Sequence, residues 1–367
     1  MSTVDTKRVS NEFSIRISSL LCAWYNQNKR DLPWRHTKNP YKIWLSEIIL
    51  QQTRVIQGLS YYHRFIKQFP TVKSLAEANE DEVLHLWQGL GYYSRARNMK
   101  QAALSVEEHF SGCFPHTYKD IHTLKGIGDY TAAAIASFAF DLPYAVLDGN
   151  VYRVLARLLA LDTPIDSTEG KKLFQKWADE LLDTKQPALH NQAIMELGAL
   201  CCTPKNPTCE ACPLQSMCAA YDLKKVESLP IKMNKTKTRD RYFNYFHILY
   251  KGSFFLHQRG PKDIWQGLYE LPIIETSKAL PFHKLENEKA FKRLFPSPEG
   301  LLFKTDQKNI KHVLSHQILY TNFYTVQIET LPPALKDYEQ VTPANLSRFA
   351  IPRLIETYFE KMNGNLF

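Results

Sequence analysis

At 367 residues, with 44% apolar and 23% charged side chains, the chain has the composition of globular domains, about two at roughly 150 residues each, which excludes wholesale disorder. Lys and Arg outnumber Asp and Glu by 46 to 37, and the resulting formal charge of +9 favours a polyanionic partner over a small acidic ligand. No apolar run nears the ~20 residues that a bilayer demands, and residues 1–15 mix Asp5, Lys7, Arg8 and Glu12 with no apolar stretch, so neither membrane span nor secretion signal is expected and a cytoplasmic location is.

In chain order, residues 13–28, 41–70, about 80–110, 129–140, 150–161, 169–183 and 188–201 carry helical patterns, and little β-branched alternation precedes residue 230. Val151, Val154, Leu155, Leu158 and Leu159 follow the spacing of a one-faced helix. Residues 1–225 therefore form an all-α domain. Residues 226–240 form a basic linker: seven Lys or Arg against two acids fall between 224 and 241, which suits a solvated tether. From 241 to 367 the grammar becomes α+β. Tyr242–Tyr250 and Ser253–His257 alternate around Lys251-Gly252 as a hairpin would, Tyr320–Ile328 reads as a strand, and 343–361 as a closing helix.

Seven cysteines in a chain with no secretion signal should not form disulfides, and five of them crowd between 201 and 218. Cys202, Cys209, Cys212 and Cys218 are spaced so that four thiolates can converge on one centre. Zinc ribbons pair two CxxC knuckles, whereas only one CxxC occurs here, flanked by longer Pro-containing loops. That unevenness points to a [4Fe–4S] cluster, with zinc or purely structural thiols as alternatives. Cys201 is the spare, expected to pack on the preceding helix.

Three further motifs carry chemistry, each with a plainer alternative. Leu124–Thr131 (LKGIGDYT) contains Gly126 and Gly128, which permit a positive-φ hairpin whose N–H groups, with the next helix N-terminus, would hold a DNA phosphate; a simple C-cap and turn explains them as well. Asp148-Gly149-Asn150 stands directly before a helix, where capping is the plainer role. Glu47, Gln51 and Arg54 fall at i, i+4 and i+7 of an otherwise apolar helix. A carboxyl so placed has a raised pKa and can donate a proton, unless it is a surface Glu paired with Arg54.

Taken together, LPWR…PYKIWLSEIILQQTR at 32–54, GLGYYSRARN at 89–98, LKGIGDYT at 124–131, VLDGNVYRVLAR at 146–157 and NQAIMELGALCCTP with its cysteine loop resemble the MutY-type adenine DNA glycosylases. These belong to the helix-hairpin-helix superfamily and carry an iron–sulfur cluster. The resemblance is close over roughly residues 20–225. It implies removal of adenine mispaired with 8-oxoguanine or guanine in duplex DNA, by a monomer associated with the nucleoid if the cell is bacterial. It gives Glu47 the part of the acid that protonates adenine N7, and Asp148 that of the carboxylate that stabilises the sugar cation. Asn150 would help hold the acid and water, and Tyr130 would lie beside Asp148. Gln52 and Tyr92 would wedge into the duplex. Arg30, Leu32, Trp34, Arg35, Leu50 and Val55 would line the base pocket, with Gln192 opposite.

Related endonuclease III enzymes carry lysine where this chain has Tyr130 and lack a glutamate at the position of Glu47, so the resemblance implies a monofunctional glycosylase. A catalytically silent, cluster-bearing damage binder would be the other rival, but both carboxylates are present. The C-terminal part resembles the Nudix-like module of MutY enzymes, with Trp265–Pro272 as its tryptophan-to-proline segment and no hydrolase box. Leu314-Ser315-His316 falls where many members have Phe-Ser-His, a loop that reads 8-oxoguanine. Leucine for phenylalanine leaves Ser315 and His316 for hydrogen bonding and removes the aromatic ring.

Overall fold

The computed structural model describes residues 11–233 and 238–364. Two compact units emerge: Met1–Glu77 with Asn98–Lys235, and Ala78–Arg97 with Thr236–Phe367. No helix among the described residues is long and apolar enough to cross a membrane.

The helices run α1 (Asn11–Asn28), α2 (Pro40–Leu50), α3 (Val55–Gln68), α4 (Val72–Glu77), α5 (Glu80–Trp87), α6 (Ser94–Phe110), α7 (Tyr118–Thr123), α8 (Asp129–Phe140), α9 (Gly149–Leu158), α10 (Thr168–Leu181), α11 (Pro187–Leu200) and the single turn α12 (Ala219–Asp222). All but α5 and the first turn of α6 belong to the first unit. At its centre lies α8, buried throughout Thr131–Phe138, with α2, α7 and α11 packed on it. The small side chains Ala132, Ala133, Ala134 and Ala136 let these helices approach closely. In turn, α11 packs on α1 and α9.

Two long helical patterns are each broken in the structure. The 41–70 stretch splits because α2 ends at Leu50, Gln52 takes a left-handed φ of 54°, and Arg54 begins α3 from extended backbone. The 80–110 stretch splits at Gly89, Gly91 and Tyr92, whose φ values are 93°, 73° and 48°. The second break leaves the apolar periodicity intact through Leu90 and Tyr93, whereas the first coincides with the polar run Gln51–Arg54. Residues 226–233 differ from a tether: Leu229 is buried, the carbonyls of Val226 and Leu229 accept from Arg157 Nε, and Ile165 N donates to Ile231 O at 3.0 Å. Arg239–Arg241 already lie in a strand, and residues 234–237 of the expected linker fall outside the described residues.

In the second unit, β1 (Arg239–Leu249), β2 (Phe254–Gln258), β3 (Tyr269–Glu270), β4 (Ile273–Thr276), β5 (Lys304–Val313), β6 (Gln317–Gln327) and β7 (Glu339–Val341) form sheets ordered β4-β1-β6-β5 and β3-β2-β7. Strands β1 and β6 are parallel, with Tyr245 opposite Phe323. Both faces of this pair are covered, so Phe243–Ile248 are buried without alternation. One face, with Phe243, Tyr245 and Phe323, meets Leu354, Ile355 and Tyr358 of the C-terminal helix. The other, with Phe246, Ile248 and Tyr324, meets Leu285, Phe291 and Leu294. The turn at Lys251-Gly252 forms with both φ values positive, but pairing ends at the Tyr250–Ser253 bridge, since β1 and β2 join different sheets. The closing helix spans Arg353–Gly364; Pro343–Arg348 is a separate 3-10 segment ended before Pro352.

Residues 78–97 sit with the β unit because their side chains bond there. Gln88 Nε2 donates to Glu356, Ile351 N donates to Gln88 Oε1, Gln258 Nε2 donates to Asp81, and Arg97 donates to Gln266 O at 2.6 Å.

Candidate active site

A cavity of about 730 Å³ opens in the helical unit, of the size that takes a nucleoside-sized group. Its wall includes Arg30, Leu32, Trp34, Arg35, Glu47, Leu50, Gln52, Val55, Tyr130, Asp148, Asn150 and Gln192, so twelve positions singled out from the sequence converge on one space.

Glu47 projects from the apolar α2 and is 7% exposed. Tyr130, in the first turn of α8, donates its hydroxyl hydrogen bond to Glu47 Oε2 at 2.6 Å. Burial pushes the Glu47 carboxyl up to about 7; Asp148 adds to the rise, while the Tyr130 bond and Arg35 oppose it. A pairing with Arg54 along one helix face does not occur, because α2 has ended before that residue.

Asp148 resolves its two readings by doing one job with each oxygen. Oδ1 caps α9 by accepting from Val151 N at 2.8 Å, and Oδ2 accepts from Asn150 Nδ2 at 2.8 Å, with Asp148 and Asn150 both lining the cavity. Burial raises its pKa, and these donors, with Arg153, pull the other way. Asn150 Oδ1 in turn accepts from Arg153 Nη2 at 2.9 Å, and Arg153 Nε donates to Cys202 O at 2.6 Å. A continuous polar chain thus joins the cavity to the cysteine loop. Gly198 of α11 makes room for it: a Cβ there would stand 2.6 Å from Asn150 Cβ.

Glu196 was not singled out from the sequence, yet it organises the cavity floor. Its carboxylate accepts from Arg30 N, Nε and Nη2 at 2.9, 2.9 and 2.5 Å, and from Arg35 Nη1 and Nη2 at 2.9 and 2.7 Å. Burial would raise it, but these bonds hold it at about 2. The available signal was a single acid inside the apolar NQAIMELGAL helix, which needs a cationic partner if it is buried. Beside it, Gln192 Oε1 accepts from Tyr25 OH at 2.6 Å.

The glycine hairpin uses only one left-handed glycine. Gly126 has φ 81° and passes Asn98 where a Cβ would come within 2.7 Å, whereas Gly128 is extended at φ −98° and begins α8. Gly128 and Tyr130 also border a wider groove with Tyr118, Tyr144, Lys171 and Lys172.

Cys202, Cys209, Cys212 and Cys218 line one small cavity. Cys201 is buried but faces that same cavity, where Thr208 O accepts from its thiol at 3.4 Å, rather than packing only on its helix. Arg157, 2% exposed, donates to Cys202 Sγ at 3.3 Å, and a buried cation suits an anionic thiolate-ligated group. Among the described residues, no three His, Cys, Asp or Glu side chains gather as a site for a metal ion.

In the second unit, Tyr92 is 48% exposed and shares a short hydrogen bond with Ser315 Oγ, so the two residues sit together. His316 is exposed, and its carbonyl accepts from Arg239 N at 3.0 Å. Leu314 packs against the sheet core.

Residues 45–180 match the model of the HhH-GPD superfamily of base excision DNA repair proteins, and residues 244–361 match that of the NUDIX domain. The adenine DNA glycosylase of Buchnera aphidicola subsp. Baizongia pistaciae is 39% identical over 302 residues, covering 82% of each chain. That of subsp. Acyrthosiphon pisum is 32% identical, covering 95% of this chain and 98% of its own. The chain belongs to the MutY-type adenine DNA glycosylase family. A solved thermostable thymine-DNA glycosylase is 28% identical, covering 58% of this chain and 98% of its own with a TM-score of 0.54. The helix-hairpin-helix fold expected of a MutY-type chain is therefore present, followed by its Nudix-like sheet domain.

Proposed function

We propose that the protein hydrolyses the N-glycosidic bond of adenine paired with 8-oxoguanine, or with guanine, in duplex DNA, as a monofunctional, monomeric glycosylase. The observation that carries this is the buried Glu47, with a carboxyl near pH 7 in its proton affinity, sharing one nucleoside-sized cavity with the capped carboxylate of Asp148. Glycosidic cleavage is served by two carboxyl groups in one site, one to protonate the leaving base and one to meet the cationic sugar.

An adenine turned out of the stack enters between Leu32, Trp34, Leu50 and Val55, where Arg30, Arg35 and Gln192 supply polar contacts. Protonated Glu47 donates to the base nitrogen and makes adenine a good leaving group. Asp148, oriented by hydrogen bonds from Val151 N–H and Asn150, stabilises the cationic sugar in its ionised form until water adds. Tyr130 holds Glu47 and, having no amine, forms no Schiff base with the sugar. Gly126 and Gly128 present the hairpin and the α8 N-terminus to a phosphate. Gln52 and Tyr92, both on left-handed backbone, would fill the gap left by the base, and Ser315 and His316 would read the opposite base. Cys202, Cys209, Cys212 and Cys218 would hold a [4Fe–4S] cluster, which when bound ties the loop through iron–thiolate bonds. On this reading the chemistry lies before residue 225 and base discrimination in 241–367 together with Tyr92.

Single-turnover excision from duplexes carrying A opposite 8-oxoguanine, G, C or T tests the proposal. Glu47→Gln should keep DNA binding and lose about 10²–10⁴-fold in rate. A variant that retains a tenth of the parental rate, or a parent that excises equally from all four duplexes, would overturn it.

A further inference from the structure

Among the charged groups at the cavity, Glu196 makes the most bonds and has no part in the chemistry above. The geometry points to Glu196 as a positioning residue: its carboxylate pins Arg30 and Arg35 to the α11 wall, so that the cavity presents Glu47 with two held cations offset by one negative charge rather than two free ones. This rests on the reading of Glu47 as the acid.

Glu196 stands one helical turn beyond Gln192, and its side chain is 1% exposed. Five N–H groups occupy its two oxygens, and Arg35 Nη1 also donates to Arg30 O at 2.9 Å. The Arg35 guanidinium lies 5.4 Å over the Tyr25 ring, so the group cannot swing without breaking several contacts. The carboxylate therefore fixes both where the two cations are and how much charge they show.

The charged and titratable groups around Glu47 are Arg30 and Arg35 from the segment after α1, Arg54 at the start of α3, Tyr130 of α8, Asp148 and Arg153 at α9, and Glu196 of α11. Of these, Arg35 favours the ionised form of Glu47 and Asp148 opposes it. Removing the Glu196 charge leaves Arg30 and Arg35 uncompensated, and uncompensated cations make Glu47 lose its proton at lower pH. Since only protonated Glu47 donates, excision falls as pH rises through its pKa. Glu196→Gln should bring that fall to lower pH by about 0.5–1 unit. At pH 8 the rate would drop by a further 3- to 10-fold or so, with little change on the acid plateau.

The test is the pH profile, between about pH 5.5 and 8.5, of single-turnover excision by holoenzyme at saturating enzyme on an A·8-oxoguanine duplex. The inference expects Glu196→Gln to move the alkaline limb down, Glu196→Asp to keep it at the parental pH, and Glu196→Gln with Arg35→Gln, which removes opposite charges together, to return it. If Glu196→Gln alone does not fold, the double variant and Glu196→Asp still decide: a limb displaced in both would overturn the inference. A Glu196→Gln profile lowered evenly at every pH would also overturn it, leaving a purely structural role. Glu47→Gln, run alongside, separates the two readings. If it keeps the parental limb, the acid assignment itself is wrong; if it abolishes excision while Glu196→Gln leaves the limb in place, only the present inference falls.

Discussion

Glu47→Gln should make the protein more stable, and more so the higher the pH. In the folded chain burial holds the Glu47 carboxyl at about 7 against an ordinary value of 4.5. A group whose pKa is raised by folding favours the fold most below its unfolded value, and the benefit is lost as pH rises through the folded value. Above pH 7 the ionised carboxylate therefore costs about 3 kcal/mol, and at pH 5 less than about 1 kcal/mol. Glutamine keeps the shape and an acceptor for the Tyr130 hydroxyl but carries no charge to desolvate. The stability gained at pH 8 should thus exceed that gained at pH 5 by about 2 kcal/mol. At roughly 2–4 °C per kcal/mol for a unit of this size, the difference in Tm gain is about 4–8 °C. Thermal melts of parent and variant holoenzyme at the two pH values measure it directly. An identical Tm shift at pH 5 and pH 8 would refute the reasoning, because it would mean that Glu47 ionises in the fold as it does in water, and the physical basis for its acid role would be gone.

Tyr130→Phe removes a donor that favours the ionised Glu47, so the alkaline limb of the excision profile should move to higher pH; a shift to lower pH would contradict the hydrogen bond's role. Gly198→Ala forces a Cβ against Asn150 and should cost about 1–3 kcal/mol by overpacking while slowing excision with the iron content unchanged, as melts, kinetics and metal analysis would show. Ser315→Ala with His316→Ala should lower the preference for A·8-oxoguanine over A·G by roughly 5- to 150-fold, the worth of one hydrogen-bond set to a base edge, and leave excision from A·G nearly unchanged. Purified protein should be brown, absorb near about 400 nm and hold about four irons per chain; stoichiometric zinc in active, iron-free protein would remove the cluster assignment.

Much of the site could be read from residue types alone, because an acid in an apolar helix, an Asp-Gly-Asn before a helix and four spaced thiols each imply their own surroundings. What could not be read depends on backbone torsion or distant pairing. Gln52 and Tyr92 interrupt helices by adopting left-handed φ, which neither is compelled to do by its side chain. Glu196 looks like any helical glutamate until Arg30 and Arg35, more than 160 positions away, are brought to it. The 224–241 stretch is basic enough to suggest a tether, but within it Leu229 and the carbonyls that Arg157 needs bind residues 226–233 to α9. Asp148 does cap α9 through Oδ1, and the cap leaves Oδ2 to accept from Asn150, so capping does not exclude the proposed role.

The membership of residues 78–97 in the β unit has a topological consequence. The backbone passes from one unit to the other three times, at 77–78, at 97–98 and at 235–236. A single cut between residues 233 and 238 would sever only the last of these crossings. The two products would part on a denaturing gel yet stay together in native buffer, because the larger one carries a segment whose Asp81, Leu84, Gln88 and Arg97 contact residues of the smaller. A chain shortened by genetic truncation at the same point would behave differently from a nicked one: it would keep Tyr92 but lose the partners of Asp81, Gln88 and Arg97.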